Sequence, residues 1–344
     1  MHYDITELER VVADSRKVAV ISHLNPDGDA AGSVSAMCRY LEMRGKEAQA
    51  IFPNPVPSHF MFLDKGPRPI MICEGDAAAA AEYVKGCDTI FCLDFNSPGR
   101  TEYLKGAILE SKGVKVLIDH HISPEQGVFD HIWSDPDSSS TCELLFWLLL
   151  AMPDVGGEPS RLTMDCAEAL YLGMMTDTNN FSNSVRPSTF EMASLLIARG
   201  VDKTMLQYRV LNSYSHTRIR LMGHLLKDNL RLAERHGAAF MTFSEAEKAE
   251  YAFRPGDTEG FVNIPLQIDG VRLSAFFSED GPGGYVRVSL RSRRGTDVNT
   301  FARLFFNGGG HENAAGGRLY MPLSDVPAYF LKSLDDYFAE ENRR

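Results

Sequence analysis

Three short apolar runs, at residues 18–22, 89–94 and 115–119, each break off into a cluster of ionisable side chains. Between and after them lie stretches with apolar positions at helical spacing, of which 30–44 and 165–176 are the clearest. Strands alternating with helices predict a parallel α/β sheet. In such sheets ligands bind beyond the carboxyl ends of the strands. The polar clusters, distant in sequence, are therefore expected to converge in space. The longest apolar stretch, 144–152, is too short for the ~18 residues of a membrane span and reads as a buried helix.

Residues 200–236 read as wholly helical and charged. Ile219, Met222, Leu225, Leu226 and Leu230 make one stripe there, expected to face a core and to bridge two domains. Past Gly237 the pattern changes: strands are expected at 238–243, 271–277 and 285–290, and helices at 298–306 and 326–340. The predicted organisation is a parallel-sheet domain at 1–199, a helical linker at 200–236, and a smaller α/β domain at 237–344. The length of 344 residues agrees with two domains.

Composition narrows the function classes. The six cysteines sit in apolar contexts with no Cys-x-x-Cys spacing, which points to buried reduced thiols in a cytoplasm. The N-terminus shows no basic segment followed by an apolar one, so no secretory signal is expected. A net charge of −11 argues against a broad electrostatic binder of long duplex nucleic acid. It leaves room for a small anionic substrate, because clustered carboxylates that bind cations inflate the negative count.

Four clusters carry candidate chemistry. The first is Ser22-His23-Leu24-Asn25-Pro26-Asp27-Gly28-Asp29, a turn at a strand end where Pro26 fixes φ and Gly28 permits angles a Cβ forbids. Its His and two Asp suit a divalent ion of the Mn²⁺ to Zn²⁺ range. The second is Asp94, followed by Asn96, Ser97 and Arg100. A lone Asp after a strand often caps the next helix, so Asp94 alone is ambiguous. The third, Asp119-His120-His121, puts three ionisable groups at a buried strand end, where they need partners. The fourth is Asp177, which alone reads as a helix-end carboxylate. Together His23, Asp27, Asp29, Asp94, His120 and Asp177 fit two divalent ions better than one. Such ions sit ~3.5–4 Å apart and need a shared carboxylate, for which Asp94 is the natural choice. A water between them, acidified to hydroxide, is expected to attack phosphorus in line.

A fifth signal lies near the C-terminal end. Gly308-Gly309-Gly310-His311 is a glycine-rich stretch whose successive N–H groups are expected to cradle phosphate, the bland alternative being a flexible turn before a strand at 318–321. Arg287 and Arg291 are four apart and share a face of one strand, where guanidinium forks match phosphate oxygens. Arg293 and Arg294 read as a solvated edge.

In this order, the His23–Asp29 turn, Asp94, Asp119-His120-His121 and Asp177 resemble the four motifs of the DHH phosphoesterases. The glycine stretch, preceded by Val288-Ser289-Leu290-Arg291-Ser292, resembles the DHH-associated C-terminal domain. Size and layout are similar to the bacterial nanoRNase and pAp phosphatase branch, often labelled exopolyphosphatase-related. The resemblance implies Mn²⁺ as the usual metal, and a substrate cleft between the domains. His23, Asp27 and Asp94 would hold one ion; Asp29, Asp94, His120 and Asp177 would hold the other. His121 would act as acid or electrostatic stabiliser, with Asn25 oriented near the site. Gly308, Gly309, Gly310 and His311 would bind a substrate phosphate, with Arg287, Arg291 and Arg100 as further candidates. Short RNA or small nucleotide phosphates are the implied substrates, and a homodimer is in keeping with the superfamily.

Competing readings are an exopolyphosphatase, a cyclic-dinucleotide or linear-dinucleotide phosphodiesterase, and a nucleotide sensor that has lost catalysis. The complete ligand set argues against the sensor. The absence of a membrane span and of further domains separates the chain from membrane-bound cyclic-di-AMP phosphodiesterases and RecJ-type exonucleases. The glycine stretch separates it from family II inorganic pyrophosphatases.

Overall fold

A computed structural model describes residues 3–211, 214–293 and 295–341, so Arg294 lies outside the described residues. The chain divides into two units, 1–213 and 214–344. In chain order the first carries α1 (Thr6–Asp14), β1 (Lys17–Ile21), α2 (Gly28–Met43), β2 (Glu47–Phe52), β3 (Met71–Ile72), α3 (Ala77–Lys85), β4 (Thr89–Leu93), α4 (Lys105–Glu110), β5 (Val114–Asp119), β6 (His131–Ser134), α5 (Thr141–Ala151), α6 (Met164–Asp177), α7 (Pro187–Arg199) and α8 (Lys203–Leu211).

Its six strands form a parallel sheet in the order β3-β2-β1-β4-β5-β6. Helices cover both faces, which is why the strands read as continuous apolar runs. Val20, Phe91, Leu93, Val116 and Ile118 pack with α2, α5 and α6 on one side. Ile21, Ile90, Cys92 and Leu117 pack with α3 and α4 on the other. Strand order reverses between β1 and β4, and ligands of such sheets bind outside that point. The apolar run near residue 144 is the buried helix α5.

The second unit carries α9 (His216–His224), β7 (Arg231–Ala233), β8 (Ala238–Phe243), α10 (Glu245–Glu250), β9 (Leu273–Asp280), β10 (Tyr285–Ser292), α11 (Val298–Phe305), β11 (Gly309–His311), β12 (Ala314–Leu319) and α12 (Val326–Glu341). Its sheet runs β11-β12-β10-β9-β8-β7, antiparallel except at β8–β9. Phe301, Phe306, Phe330 and Leu334 fill the space between one face and helices α11 and α12. Leu221, Leu225, Phe261 and Val262 cover Met241, Phe243 and Phe276 on the other.

Two expectations are corrected. Residues 200–236 are not one helical stretch: α9 passes into a π turn at Leu225–Asn229, and the chain then becomes strand β7. Pairing with β8 satisfies its backbone groups, and the Asn229 amide donates to the Thr242 carbonyl at 2.7 Å, so tertiary pairing overrides helical periodicity. Of the predicted stripe only Leu225 is fully buried, Met222, Leu226 and Leu230 are half-buried and Ile219 is exposed, while the neighbouring Leu221, outside the stripe, is buried. The glycine stretch is a hairpin of β11 and β12, not a flexible turn, and the strand expected at 318–321 begins at Ala314. Close backbone approach explains its glycines: a Cβ on Gly317 would stand 2.2 Å from the Phe306 carbonyl oxygen. All six cysteines are buried and free. Among the described residues no helix is long and apolar enough to cross a membrane.

Candidate metal centre

The carboxyl ends of β1, β4 and β5 deliver His23, Asp94 and His120 to one side of the sheet. In the first turn Asp27 is the N-cap of α2, its Oδ1 accepting from the N–H groups of Asp29 at 3.1 Å and Ala30 at 3.0 Å. The left-handed residue of that turn is Asn25 (φ 58), not Gly28. Asn25 is held by Asn54, whose Oδ1 accepts from its N–H at 2.6 Å and whose amide donates to its Oδ1 at 3.0 Å. Gly28 instead answers a need for space, because a Cβ would lie 2.3 Å from Thr176 Oγ1. A Cβ on Gly173 would lie 2.8 Å from Asp29 Oδ1. These two glycines let α2 and α6 approach closely enough to set Asp29 beside Asp177, the last residue of α6. A carboxylate there opposes the helix dipole, so its place is not a stabilising one.

Asp94 is buried and left-handed (φ 65), a sparsely populated conformation for a residue with a Cβ. It is not a helix cap, since the next helical turn is capped by Ser97. Three groups of ligand atoms gather around it, each within 4.8 Å: His23, Asp27 and Asp94; Asp29, His120 and Asp177; and Asp94, His120 and His121. His23 Nε2 stands 3.4 Å from Asp94 Oδ2. His120 Nε2 stands 3.7 Å from Asp94 Oδ1 and 3.5 Å from Asp177 Oδ2. These distances exceed good hydrogen bonds, so the groups face one another without closing on one another. Each ring's Nδ1 is turned outward, His23 to the Leu24 carbonyl at 2.9 Å and His120 to the Ser138 carbonyl at 3.4 Å. That orientation leaves Nε2 as the inward ligand atom.

Burial and the charges of Asp29 and Asp27 push the Asp94 carboxyl well above the usual carboxylate range. Asp177 is raised by the same causes, and Asp29 chiefly by burial. For His120, burial alone would lower the pKa, but Asp29, Asp94 and Asp119 carry it upward. Among the described residues no lysine or arginine pairs with these carboxylates. Convergent oxygen and imidazole lone pairs with excess buried negative charge fit divalent cations.

Residues 17–174 match the DHH family, N-terminal domain, and residues 239–340 match the DHHA1 domain. The bifunctional oligoribonuclease and PAP phosphatase NrnA of Thermus thermophilus is 30% identical over 320 residues, covering 91% of this chain and 89% of that protein. This chain belongs to the DHH phosphoesterase family. An exopolyphosphatase-related protein from Bacteroides fragilis has a similar structure, with a TM-score of 0.91, 34% identity, and coverage of 97% and 96% of the two chains. The cyclic-di-AMP phosphodiesterase GdpP of Geobacillus thermodenitrificans is 25% identical over 96% of this chain but only 49% of its own length.

In the DHHA1 unit, register puts His311 beside Ala314, Ala314 beside Arg291, and Arg291 beside Ser274, all on one sheet face. Burial pulls the Arg291 guanidinium below its ordinary pKa, and its hydrogen bond goes to the neighbouring Leu290 carbonyl at 2.9 Å. Arg287 shares the face but is exposed, 3.7 Å from Asp280 Oδ2. The glycine stretch offers fewer free N–H groups than its sequence suggests. Gly308 N–H donates to the Ala302 carbonyl at 3.3 Å and Gly310 N–H to Asn299 Oδ1 at 2.9 Å. The Arg100 side chain is exposed, while its carbonyl accepts from Leu24 N–H at 2.8 Å and so braces the His23 turn.

Sequence reasoning in this DHH-family chain named Asp119 in the third cluster without giving it a role, and passed over other supporting groups. Asp119 is fully buried and its Oδ1 lies 2.7 Å from His121 Nδ1. Thr141 and Cys142 donate their N–H groups to Asp29 Oδ2 and Oδ1 at 2.6 and 2.9 Å, and Thr141 Oγ1 donates to Asp94 Oδ1 at 3.1 Å. The signal for this segment was legible as Ser138-Ser139-Ser140-Thr141 before an apolar helix, a helix-start pattern. Ser274, a buried hydroxyl without a hydrogen-bond partner among the described residues, left no such signal.

Proposed function

We propose that this chain is a two-metal phosphoesterase that hydrolyses short oligoribonucleotides and 3′-phosphoadenosine 5′-phosphate. The observation that carries the proposal is the gathering of His23, Asp27 and Asp94 in one group and of Asp29, His120 and Asp177 in another, each within 4.8 Å, with His120 Nε2 3.7 Å from Asp94 Oδ1. His23, Asp27 and Asp94 would hold one ion, and Asp29, Asp94, His120 and Asp177 the other, with Mn²⁺ suited to their mixed imidazole and carboxylate character. Such ions supply Lewis-acid polarisation of the phosphoryl oxygens and an acidified water.

The chain's own residues do the rest. Asp119 accepts at His121 Nδ1, which fixes the tautomer and leaves Nε2 to face the phosphoryl group as donor or charge stabiliser. Asn25, locked by Asn54, shapes the rim of the same turn. Arg291, with Ser274 and His311 in the same cross-strand row, would take a second phosphate of the substrate. Arg287, Arg100 and Gly308 to Gly310 are secondary candidates for that role. Free buried thiols accord with a reducing, cytoplasmic setting.

The similarity to GdpP favours a second reading, hydrolysis of cyclic or linear dinucleotides at the same centre. A substrate panel decides between them. The full chain with Mn²⁺ is expected to release mononucleotides from a trinucleotide RNA and phosphate from pAp, faster than it opens cyclic-di-AMP or shortens polyphosphate. Release from none of the four substrates, with bound metal confirmed, refutes the proposal.

A further inference from the structure

Glu143 is a fully buried carboxylate that the centre described above does not use. It is the third residue of α5, where a Glu ordinarily reaches back to the N-cap N–H and stays near the surface. Here Ser140 caps the helix, accepting from Glu143 N–H at 3.0 Å, and the Glu143 side chain goes elsewhere. Its Oε2 accepts from Ser139 N–H at 3.1 Å, from Ser139 Oγ, and from Thr189 Oγ1 at 2.8 Å. Its Oε1 has no hydrogen-bond partner among the described residues. Helix capping does not require burying a carboxyl group with one oxygen left without a hydrogen bond.

The donors show what the carboxylate joins. Ser139 lies in the segment that orients the centre: Ser138 O faces His120 Nδ1, and Thr141 and Cys142 N–H groups hold both oxygens of Asp29. Thr189 lies on α7, which follows the segment that leaves Asp177. Its Oγ1 also accepts from Arg186 N–H at 3.0 Å, and the Arg186 guanidinium pairs with Asp137. Glu143 therefore ties together the two segments that carry or brace Asp29, His120 and Asp177. The hydrogen bonds of His23 and Asp27 stay within their own turn, to Leu24, Asp29 and Ala30, so the contrast rests on the ligands unique to each position; Asp94, common to both, accepts from Thr141 Oγ1 at 3.1 Å.

We propose that Glu143 is a positioning residue that preorganises the Asp29–His120–Asp177 ion position selectively, leaving the His23–Asp27 position nearly untouched. The inference rests on the two-ion reading of the centre. Supporting contacts of this kind set metal affinity by about 10- to 100-fold.

The test is a Mn²⁺ titration of the metal-stripped full chain by calorimetry, with bound ions counted by electron paramagnetic resonance. Wild type is expected to take two ions. Glu143→Gln and Thr189→Val are expected to weaken one ion by about tenfold or more. The other should change by less than about threefold, and Thr189→Ser, which keeps the hydroxyl, should behave as wild type. In an Asp177→Ala background, Glu143→Gln should leave the remaining ion's affinity unchanged. If Glu143→Gln does not fold, the Thr189→Val and Thr189→Ser pair carries the same decision. Equal loss at both positions, or no loss at either, overturns the inference while two ions in wild type keep the functional reading. A wild type that takes up no Mn²⁺ overturns both.

Discussion

The two units each bury histidine among carboxylates, and they do it in opposite ways. In the second, His224 bonds Glu247 at 2.9 Å and Asp228 at 3.0 Å, and its ring stacks on Tyr251 with centroids 4.8 Å apart. Glu247 also accepts from Asn229 and from the N–H and hydroxyl of Ser244, each at 2.7 Å. Burial alone would raise Glu247, but those bonds hold it down at about 2. In the first unit His23 and His120 stand 3.4–3.7 Å from carboxylates whose pKa is pushed up, and only His121 closes on one, Asp119 at 2.7 Å. A network that closes on itself is a structural latch. A set of lone pairs that converge without closing is built for a cation. Distance and the direction of the carboxylate shift separate the two, where residue type does not.

The largest break in that comparison is expected from Asp94→Asn. Asn keeps the shape and tolerates the left-handed backbone, so the change removes charge and little else. On the proposed two-ion reading it takes away a ligand shared by both positions. Loss of several kcal/mol of transition-state stabilisation is on the order of a thousandfold in rate. The metal-free melting temperature should hold or rise, because a like charge leaves a buried cluster. Near-normal turnover in the variant would show that Asp94 does not bridge.

Metal removal is expected to move stability less than it moves rate. Mn²⁺ at about 100 times its Kd adds about 2.7 kcal/mol per site to the unit that binds it. Calorimetric melting with and without chelator should shift the transition of the first unit alone. In mirror image, Glu247→Ala should cost the second unit about 2 kcal/mol by stripping acceptors from four donors, with Mn²⁺ uptake unchanged. If Mn²⁺ uptake changed with Glu247→Ala, the division into latch and centre would be wrong.

Arg291 tests whether the second unit is only a latch and a core. It is a half-buried cation that, among the described residues, makes no ion pair, beside the unpartnered hydroxyl of Ser274. Arg291→Gln should raise KM for pAp about tenfold with kcat nearly constant, the pattern of uniform substrate binding. A fall in kcat at unchanged KM would assign it to the chemistry instead.

How much of this was legible follows from where the information lies. The parallel sheet was readable because buried strands are unbroken apolar runs, and the six residues that gather at the candidate centre were readable because each sits at a strand or helix end. The π turn and β7 were not, since Leu230 continues a helical stripe and only pairing with β8 ends the helix there. The hairpin hid behind its glycines, which signal freedom in a sequence but here answer crowding against Phe306. Ser274 and Glu143 were invisible because their meaning lies in which donors or neighbours reach them, and those arrive from distant elements.

The smallest expected effect is the sharpest on sign. His224 is raised from its ordinary 6.5: burial opposes the shift, and the bonds and charges of Glu247 and Asp228 outweigh it. A raised pKa means the folded form binds the proton more tightly. The stabilisation is therefore full below about pH 6.5 and fades as pH rises through the folded value. Glu247, held at about 2 against 4.5, contributes above its unfolded value and loses that contribution as pH falls toward 2. The latch should thus be strongest between the two unfolded values. His224→Gln should lower the melting temperature of the second unit more at pH 5.5 than at pH 8.5, by a few degrees at most. In the metal-free first unit the carboxylate shifts run upward, so acidification should stabilise it, and Mn²⁺ should abolish that dependence by competing with protons. The two units should part only below about pH 4.5, where the Glu247 contribution fades; a metal-free first unit that also lost stability as pH fell through that value would mean that both clusters are latches.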